Sequence, residues 1–403
     1  MKSYLKLVRY AFEGTDWSTT PEEITDAYDI DVSLSLGDLN DTANFSIPNT
    51  NNSRITGFVK EDKITIHLLE GSETYDDTNV IFVGLIKNIS EKVNRGTKVL
   101  DVDCISIAEV LSTGLVYSST TNVDVMQYLQ HCLDVIKNYD KTFSVKLTWD
   151  TALNPTVKKD TTAFPKLNGG GLVSDKDKSF NTIINKFLTE QYLQDGQYYW
   201  FVDVDNKLKI RARLNNPVAT LIEGTDMISA KYALDPQVFN FIVVKCGFDS
   251  ETRPITTRAV DYTSIGKNGF KYYMLVDNSI ASDLYASDNV EQGGYPTAYP
   301  HTCSWKDENG DTVTATSDSD YRTKFRTQCK IAGTNYGLKW INLNSTVGKK
   351  FTIELMPTKN FTVGEVVTIY SPSYNLNHVN MRIQDIQYSN SNTVLTLKED
   401  VNI

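Results

Sequence analysis

"NVIFVGLIKNISEKVNRGTKVLDVDCIS" (residues 79–106) and "VNMRIQDIQYSNSNTVLTLKED" (residues 379–400) lie near opposite ends of the chain. Each reads as a strand, a polar turn and a second strand ending in a charged tail. A short alternating segment precedes each one, "EDKITIHL" (61–68) and "VGEVVTIY" (363–370). One chain that writes the same hairpin unit twice predicts a duplicated small β-domain.

Working outward from the first copy, "YDIDVSLSLGD" and "TANFSIPN" alternate apolar and polar residues with period two, as half-buried strands do. Residues 1–112 therefore form a β-module, in which Thr20-Pro21-Glu22-Glu23 predicts one short helical turn from its cap-like order. Residues 113–212 change character. "NVDVMQYLQHCLDVIKNY" places Val125, Leu129, Cys132 and Ile136 on one helical stripe, with Asp124 at its start. A loop rich in Lys, Thr and Gly is expected at 154–178. "SFNTIINKFLTEQYLQDG" then predicts a second helix, with Ser179 as N-cap, Ile183, Ile184, Phe187 and Leu188 on one face, and Gly196 as the stop. "QYYWFVDVDNKLKIRAR" reads as a hairpin turning at Asp205-Asn206.

Residues 213–246 and 350–403 carry strand signals and form the second β-module. Between them, 247–349 is an irregular insert. It has a hairpin turn at Asn309-Gly310 and a helix, "SDSDYRTKFRTQCKIAG", with Tyr321, Phe325, Cys329 and Ala332 as its buried stripe and Gly333 as its cap. The expected class is α+β, mainly β: two β-modules, a helix-plus-hairpin domain and an insert domain.

Bulk properties bound the function. The chain has 403 residues, 40% hydrophobic and 11% aromatic with 22 Tyr, enough for two to four domains with real cores. No apolar run approaches the roughly 18–20 residues of a membrane span, and "MKSYLKLVRYAFEG" is too broken by Lys and Arg for a signal-peptide core. The expectation is a soluble chain with no membrane partner. Cys104, Cys132, Cys246, Cys303 and Cys329 are scattered, odd in number and without a C-x-x-C pair, so buried free thiols are expected.

Net charge is −10, which argues against a nucleic-acid-binding surface. The imbalance sits at the front: residues 1–112 hold 10 Lys+Arg against 19 Asp+Glu. Glu13, Asp16, Glu22, Glu23, Asp26, Asp29, Asp31, Asp38 and Asp41 lie between Arg9 and Arg54 with no base among them.

Catalytic signatures are missing. His67, His131, His301 and His378 have no metal-ligand spacing, and His67 and His131 sit in an alternating strand and a helix as structural residues would. "NGGGLV" (168–173) lacks the Lys-Ser/Thr of a phosphate loop. "DVDNKLKI" lacks the Gly and Glu of a calcium loop, and neither G-x-S-x-G nor H-E-x-x-H occurs. No catalytic residue, cofactor or metal is expected.

The first repeat resembles the opening barrel of phage baseplate hub proteins, the late control protein D family. That family's strand pattern matches at Phe82, Gly84, Ile86 and Ile89, then at Leu100, Val102, Cys104 and Leu111 ahead of a helical domain. Residues 363–400 are similar to its closing barrel, with Tyr388 where the family often has His, and 179–212 look like its helix-hairpin module. The resemblance is weakest over 250–350. It implies two tail-tube-like barrels per chain and a homotrimeric ring of six barrels around a channel. Such a ring joins a hexameric tail tube or distal tail protein above to a trimeric spike, fibre or tail-tip protein below. It also implies a tape measure protein as a further neighbour, DNA passing without specific binding, and a place in the virion tail tip or baseplate after synthesis in the host cytoplasm. Asp38 and Asp41, flanking the turn in "LGDLNDTANF", become candidate lumen or docking acids. Two other classes stay open: a receptor- or carbohydrate-binding β-protein of a tail, favoured by the Tyr, Trp and polar insert, and a tail-associated cell-wall hydrolase.

Overall fold

The computed structural model describes residues 3–399 except 15, 37–40, 50–56, 72, 95, 114, 140–147, 150–171, 186–197, 205–206, 213–215, 235–237, 249–252, 277–279, 281–302, 307–311, 316 and 345–347. The first module holds β1 (Ser3–Tyr10), β2 (Glu22–Ile24), β3 (Tyr28–Ser35), β4 (Thr42–Pro48), β5 (Lys63–Glu70), β6 (Val80–Asn94) and β7 (Thr97–Ser106). The second holds α1 (Val110–Thr113), β8 (Leu115–Thr121), α2 (Val125–Tyr139), β9 (Thr148–Trp149), β10 (Leu172–Ser179), α3 (Phe180–Asn185), β11 (Tyr198–Val202) and β12 (Lys207–Ala212). Next come β13 (Pro217–Ile222) and β14 (Met227–Leu234). The insert follows with β15 (Phe241–Phe248), β16 (Pro254–Val260), α4 (Tyr262–Asn268), β17 (Tyr272–Val276), β18 (Cys303–Lys306), β19 (Thr312–Ala315) and α5 (Asp318–Asn344). The chain closes with β20 (Lys349–Leu355), β21 (Val366–Ser371), β22 (Leu376–Tyr388) and β23 (Thr393–Glu399).

The molecule is mainly β, and the two modules repeat one strand order. In the first it is β3-β4-β7-β6-β5-β1; in the second it is β14-β20-β23-β22-β21-β13. The match extends to register. Ile66 faces Phe82 and Ile64 faces Gly84, as Ile369 faces Val379 and Val367 faces Met381. Both long strands carry a bulge at the same place, between Ile86 and Asn88 and between Ile383 and Asp385. A bulge sharpens local twist, which helps so small a sheet to curl on itself. Ile86 N–H donates to Asp62 O at 3.0 Å, and Ile383 N–H to Glu365 O at 2.8 Å. The residue before each acceptor is left-handed, Glu61 at φ 78° and Gly364 at φ 86°. One difference remains: β1 runs antiparallel to β5, whereas β13 runs parallel to β21. The turn at 223–226 leads β13 directly into β14, with a single bridge between Glu223 and Met227. There Ser371 Oγ donates to Glu223 Oε2 at 2.7 Å and Tyr374 O–H to Ala230 O at 2.8 Å.

Inward residues of both modules, among them Ile66, Ile86, Val102, Ile369, Ile383 and Leu395, form one continuous apolar core. Gly84 shows how tight it is. A Cβ there would lie 2.5 Å from Ile105 O and closer still to the Phe82 ring, so only glycine fits beneath that ring.

The helix-hairpin module keeps its own core, with Val125, Leu129, Cys132 and Ile136 all buried against Trp200 and Leu208. Asp124 and Gln127 form a reciprocal cap: Gln127 N–H donates to Asp124 Oδ1 at 2.9 Å, and Asp124 N–H to Gln127 Oε1 at 3.1 Å. Ser179 Oγ accepts Thr182 N–H at 3.3 Å, as its cap role requires. Ile183 and Ile184 are buried, while Phe187, Leu188 and Gly196 lie outside the described residues. β11 and β12 pair as the expected hairpin; its turn, Asp205-Asn206, also lies outside. In the insert, β18 and β19 pair across residues 307–311, which hold the Asn309-Gly310 turn and are not described.

Four expectations change. The cap-like Thr20–Glu23 does not start a helix. Glu22 and Glu23 enter β2 opposite Arg9 and Val8, and ion pairs of Glu22 with Arg9 (2.9 Å) and Glu23 with Lys6 (2.8 Å), with Ile24 buried, outweigh the local signal. Residues 172–178, expected as loop, form most of β10 against β8, where Asp175 is buried. β15, expected to begin in the second barrel, pairs with β16 and β17, so the insert starts before residue 246. Gly333 does not cap α5, which runs unbroken from Asp318 to Asn344. It is a packing glycine: a Cβ there would meet Cys246 Sγ and come within 2.9 Å of Thr257 Cγ2, and one on Gly337 within 2.9 Å of Ala259 Cβ. These two glycines let the helix lie close on β15 and β16. Of its predicted stripe, Phe325 and Cys329 are buried and Ala332 is half-buried. The side chain of Tyr321 lies outside what is described.

Candidate functional site

The two barrels meet edge to edge. β22 runs past the end of β21 and lends its last residues to β3: Asp385 faces Ser35, Ile386 faces Leu34, Gln387 faces Ser33 and Tyr388 faces Val32. Leu36 N–H extends the ladder to Gln384 O at 2.8 Å, and Ser35 Oγ donates to Asp385 Oδ1 at 2.9 Å. One strand is thus shared by both modules. Tyr388 is buried at this joint, its phenol raised in pKa by burial and then by Glu365.

Beside the joint lies a cavity of about 220 Å³ where three modules converge. Asp41 and Phe82 come from the first barrel, Phe201 and Asp203 from the helix-hairpin module, and Lys359 and Tyr388 from the second barrel. Asp41 is one of the two acids singled out from the sequence. Its Oδ1 accepts Ser35 N–H at 2.7 Å and its carbonyl accepts Ser106 N–H at 2.8 Å, so it staples the end of β3 to β7. Asp38 lies outside the described residues. Elsewhere in the acidic stretch, Glu22 and Glu23 are neutralised by Arg9 and Lys6, while Glu13 and Asp31 face solvent.

A second polar centre was not visible from sequence spacing. Asp62 is fully buried; its Oδ2 accepts Arg9 Nε at 2.7 Å and Val59 N–H at 3.0 Å, and its Oδ1 accepts Phe12 N–H at 2.8 Å. The Arg9 guanidinium also stacks 4.7 Å over Phe58 and reaches Gly57 O. Every lone pair used is met by a fixed donor, the condition under which a buried charge is tolerated. Only the pairing of β1 with β5 brings Arg9 and Asp62 together, so no local pattern announces it.

Cys104, Cys132, Cys246 and Cys329 are buried free thiols, and burial pushes the Cys132 thiol up to about 12, far from a thiolate nucleophile. His67 is buried in the first barrel, with Nδ1 2.9 Å from Asn79 Oδ1 and Nε2 3.0 Å from Thr65 Oγ1; burial lowers its pKa. Among the described residues, no three His, Cys, Asp or Glu side chains cluster as metal ligands, and no helix is long and apolar enough to cross a membrane.

No protein-family model matches the sequence, and no curated protein does. Solved structures do match in fold. The 43 kDa tail protein of prophage MuSo2 from Shewanella oneidensis is 11% identical, with 98% of each chain covered and a TM-score of 0.56. The tail protein from Neisseria meningitidis MC58 is also 11% identical, with 99% of this chain and 97% of that one covered and a TM-score of 0.56. The alignment therefore spans nearly the whole length of each chain.

Proposed function

We propose that this chain is a structural protein of a phage tail, the hub of a tail tip or baseplate. In this reading three copies close a ring of six barrels that adapts a sixfold tail tube to a threefold spike or fibre, and DNA passes through its centre. The observation that carries it is the internal repeat: two barrels with one strand order, one register and one bulge, joined edge to edge. A two-barrel chain taken three times offers near-sixfold symmetry on one face and true threefold symmetry on the other, which is what such an adaptor needs. The full-length likeness in fold to tail proteins supports the same reading. So does the buried, satisfied character of the polar centres, which stiffen a scaffold rather than expose reactive groups. The neighbours would be a tail tube or distal tail protein, a spike, fibre or tail-tip protein, and the tape measure protein. Light scattering and electron microscopy of the purified chain test it: a three-lobed ring of three chains is expected, and a monomer at every concentration with no ring overturns it.

The acids enter here as a proposal. A wall that DNA slides past gains from negative charge, since each Lys or Arg contact adds sequence-independent grip. Asp38 is the cleaner probe, because Asp41 also holds Ser35. Asp38→Lys should leave ring assembly intact and slow DNA ejection, more at low salt; ejection unchanged at every salt removes Asp38 from the lumen.

One observation favours the carbohydrate- or receptor-binding alternative. Tyr262 and Phe270 of the insert are 75% and 60% exposed, and Tyr272 and Met274 on edge strand β17 are exposed as well. Binding on a glycan array, lost in Tyr262→Ala with Phe270→Ala, would favour that reading. A zymogram on cell-wall material tests the hydrolase reading.

A further inference from the structure

We propose that copies of this chain join head to tail by strand pairing: β14 of one copy adds to the outer edge of β6, residues 88–91, of the next. The inference rests on the hub reading and says which edges make the ring.

Inside the chain the joint uses two strand types, the end of β22 and the edge of β3. Each has a counterpart in the other module. The shared bulge sets Ile383 on Ile86 and Asp385 on Asn88, which puts Ile386 on Ile89, Gln387 on Ser90 and Tyr388 on Glu91. On the other side, Cys104 and Leu397 face the two bulge isoleucines. Ala43 and Phe351 pair with them. Val32 and Tyr232 pair in turn with Ala43 and Phe351. Val32 therefore corresponds to Tyr232, Ser33 to Ala233 and Leu34 to Leu234. Repeating the internal joint between copies puts Leu234 opposite Ile89, Ala233 opposite Ser90 and Tyr232 opposite Glu91.

Over residues 88–91 and 232–234 these counterpart edges are open. Among the described residues, positions 88–91 of β6 pair only with β7, and positions 232–234 of β14 pair only with β20; nearer its start β14 bridges Met227 to Glu223, and Ala230 O accepts Tyr374 O–H. Asn88, Ser90 and Glu91 are exposed. Leu34, at the internal joint, packs on the core, whereas its counterpart Leu234 is 59% exposed. An unpaired strand edge carrying an apolar residue is a surface that native proteins normally cover. Here a second copy covers it with the geometry the chain already uses. The contact is heterologous, one patch meeting a different patch, and such contacts close into rings when the rotation allows.

Ser90 and Ala233 correspond to Gln387 and Ser33, which lie between the hydrogen-bonded pairs of the ladder. Side chains at such positions have Cβ atoms about 4.5–5.5 Å apart, near the range of a disulfide. The test is Ser90→Cys with Ala233→Cys in the full chain, oxidised and run without reductant. A covalent trimer as the largest species is expected, released by reduction, with each single variant staying monomeric on the gel. Leu234→Lys, at an exposed position, should abolish the trimer while leaving the circular dichroism spectrum unchanged. A trimer by light scattering that neither cross-links through positions 90 and 233 nor responds to Leu234→Lys overturns this joint and leaves the hub reading standing. A chain that stays monomeric at high concentration, with no cross-link, overturns both.

Discussion

Replacing Gly333 by Ala pits helix propensity against packing. In an exposed helix interior the change gains about 1 kcal/mol, because alanine loses less backbone freedom than glycine. At Gly333 the new methyl would meet Cys246 Sγ and Thr257 Cγ2, and neither belongs to a side chain with a flexible end to swing away. Overpacking a tight contact costs typically about 1–3 kcal/mol, and two clashing neighbours on rigid strands place this site toward the upper end. The net expectation is a loss of about 1–2 kcal/mol. Gly266 in α4 is the control: nothing lies within 4 Å of its added Cβ, so Gly266→Ala should stabilise by about 0.5–1 kcal/mol. Native-state hydrogen exchange of the β15 and β16 amides reports the insert without requiring the whole chain to unfold in one step. Cys246→Ala combined with Gly333→Ala should recover part of the loss, a coupling of about 0.5–3 kcal/mol. The packing argument fails if Gly333→Ala protects those amides as Gly266→Ala protects α4, or if the two losses simply add.

Asp62→Asn should cost about 3 kcal/mol or more, since it strips Arg9 of its buried charge partner; urea unfolding of the first barrel measures it, and a change under about 1 kcal/mol would show the pair to be ornamental. His67 gives a pH signature. Burial lowers its folded pKa below the ordinary histidine value of 6.5, so the unfolded chain takes up a proton that the folded chain resists. Stability contributed this way is complete above that unfolded value and falls as pH drops below it. The midpoint of unfolding should therefore fall more steeply between pH 7 and 5 in the native chain than in His67→Gln, and parallel profiles would refute it. Gly84→Ala should destabilise the first barrel by about 1–3 kcal/mol, whereas Val93→Ala, at an exposed position of the same strand, should change stability by less than about 0.5 kcal/mol.

Period-two alternation placed most of the barrel strands, because one face of each is buried and register follows from that face. The repeat was legible for the same reason, as strand, polar turn and strand at 79–106 and 379–400; the bulge that the I-x-N-I of 86–89 shares with the I-x-D-I of 383–386 emerged only from the strand pairing. Local signals failed where a long-range partner outweighed them. Glu22 and Glu23 looked like a helix start until Arg9 and Lys6 met them across β1, and Gly333 looked like a cap because only the β15–β16 surface gives it a packing role. Asp41 was picked as a candidate lumen or docking acid beside a hairpin turn; its carboxylate also accepts Ser35 N–H, a bond no charge count can foresee. Nothing in the residues announced the joint itself. Strand patterns say which face is buried, not whose edge lies alongside.

The shared strand β22 has a mechanical consequence. Two domains on a flexible tether sample many angles, and their copies could close into rings of several sizes. Here the ladder between residues 385–388 and 32–35 fixes the angle from one barrel to the next within a single polypeptide. Any ring that repeats this step inherits its size from a measurement made during folding, before two copies ever meet. Force applied to one barrel reaches the next through backbone hydrogen bonds rather than through a hinge, so the pair turns, tilts or breaks as one body.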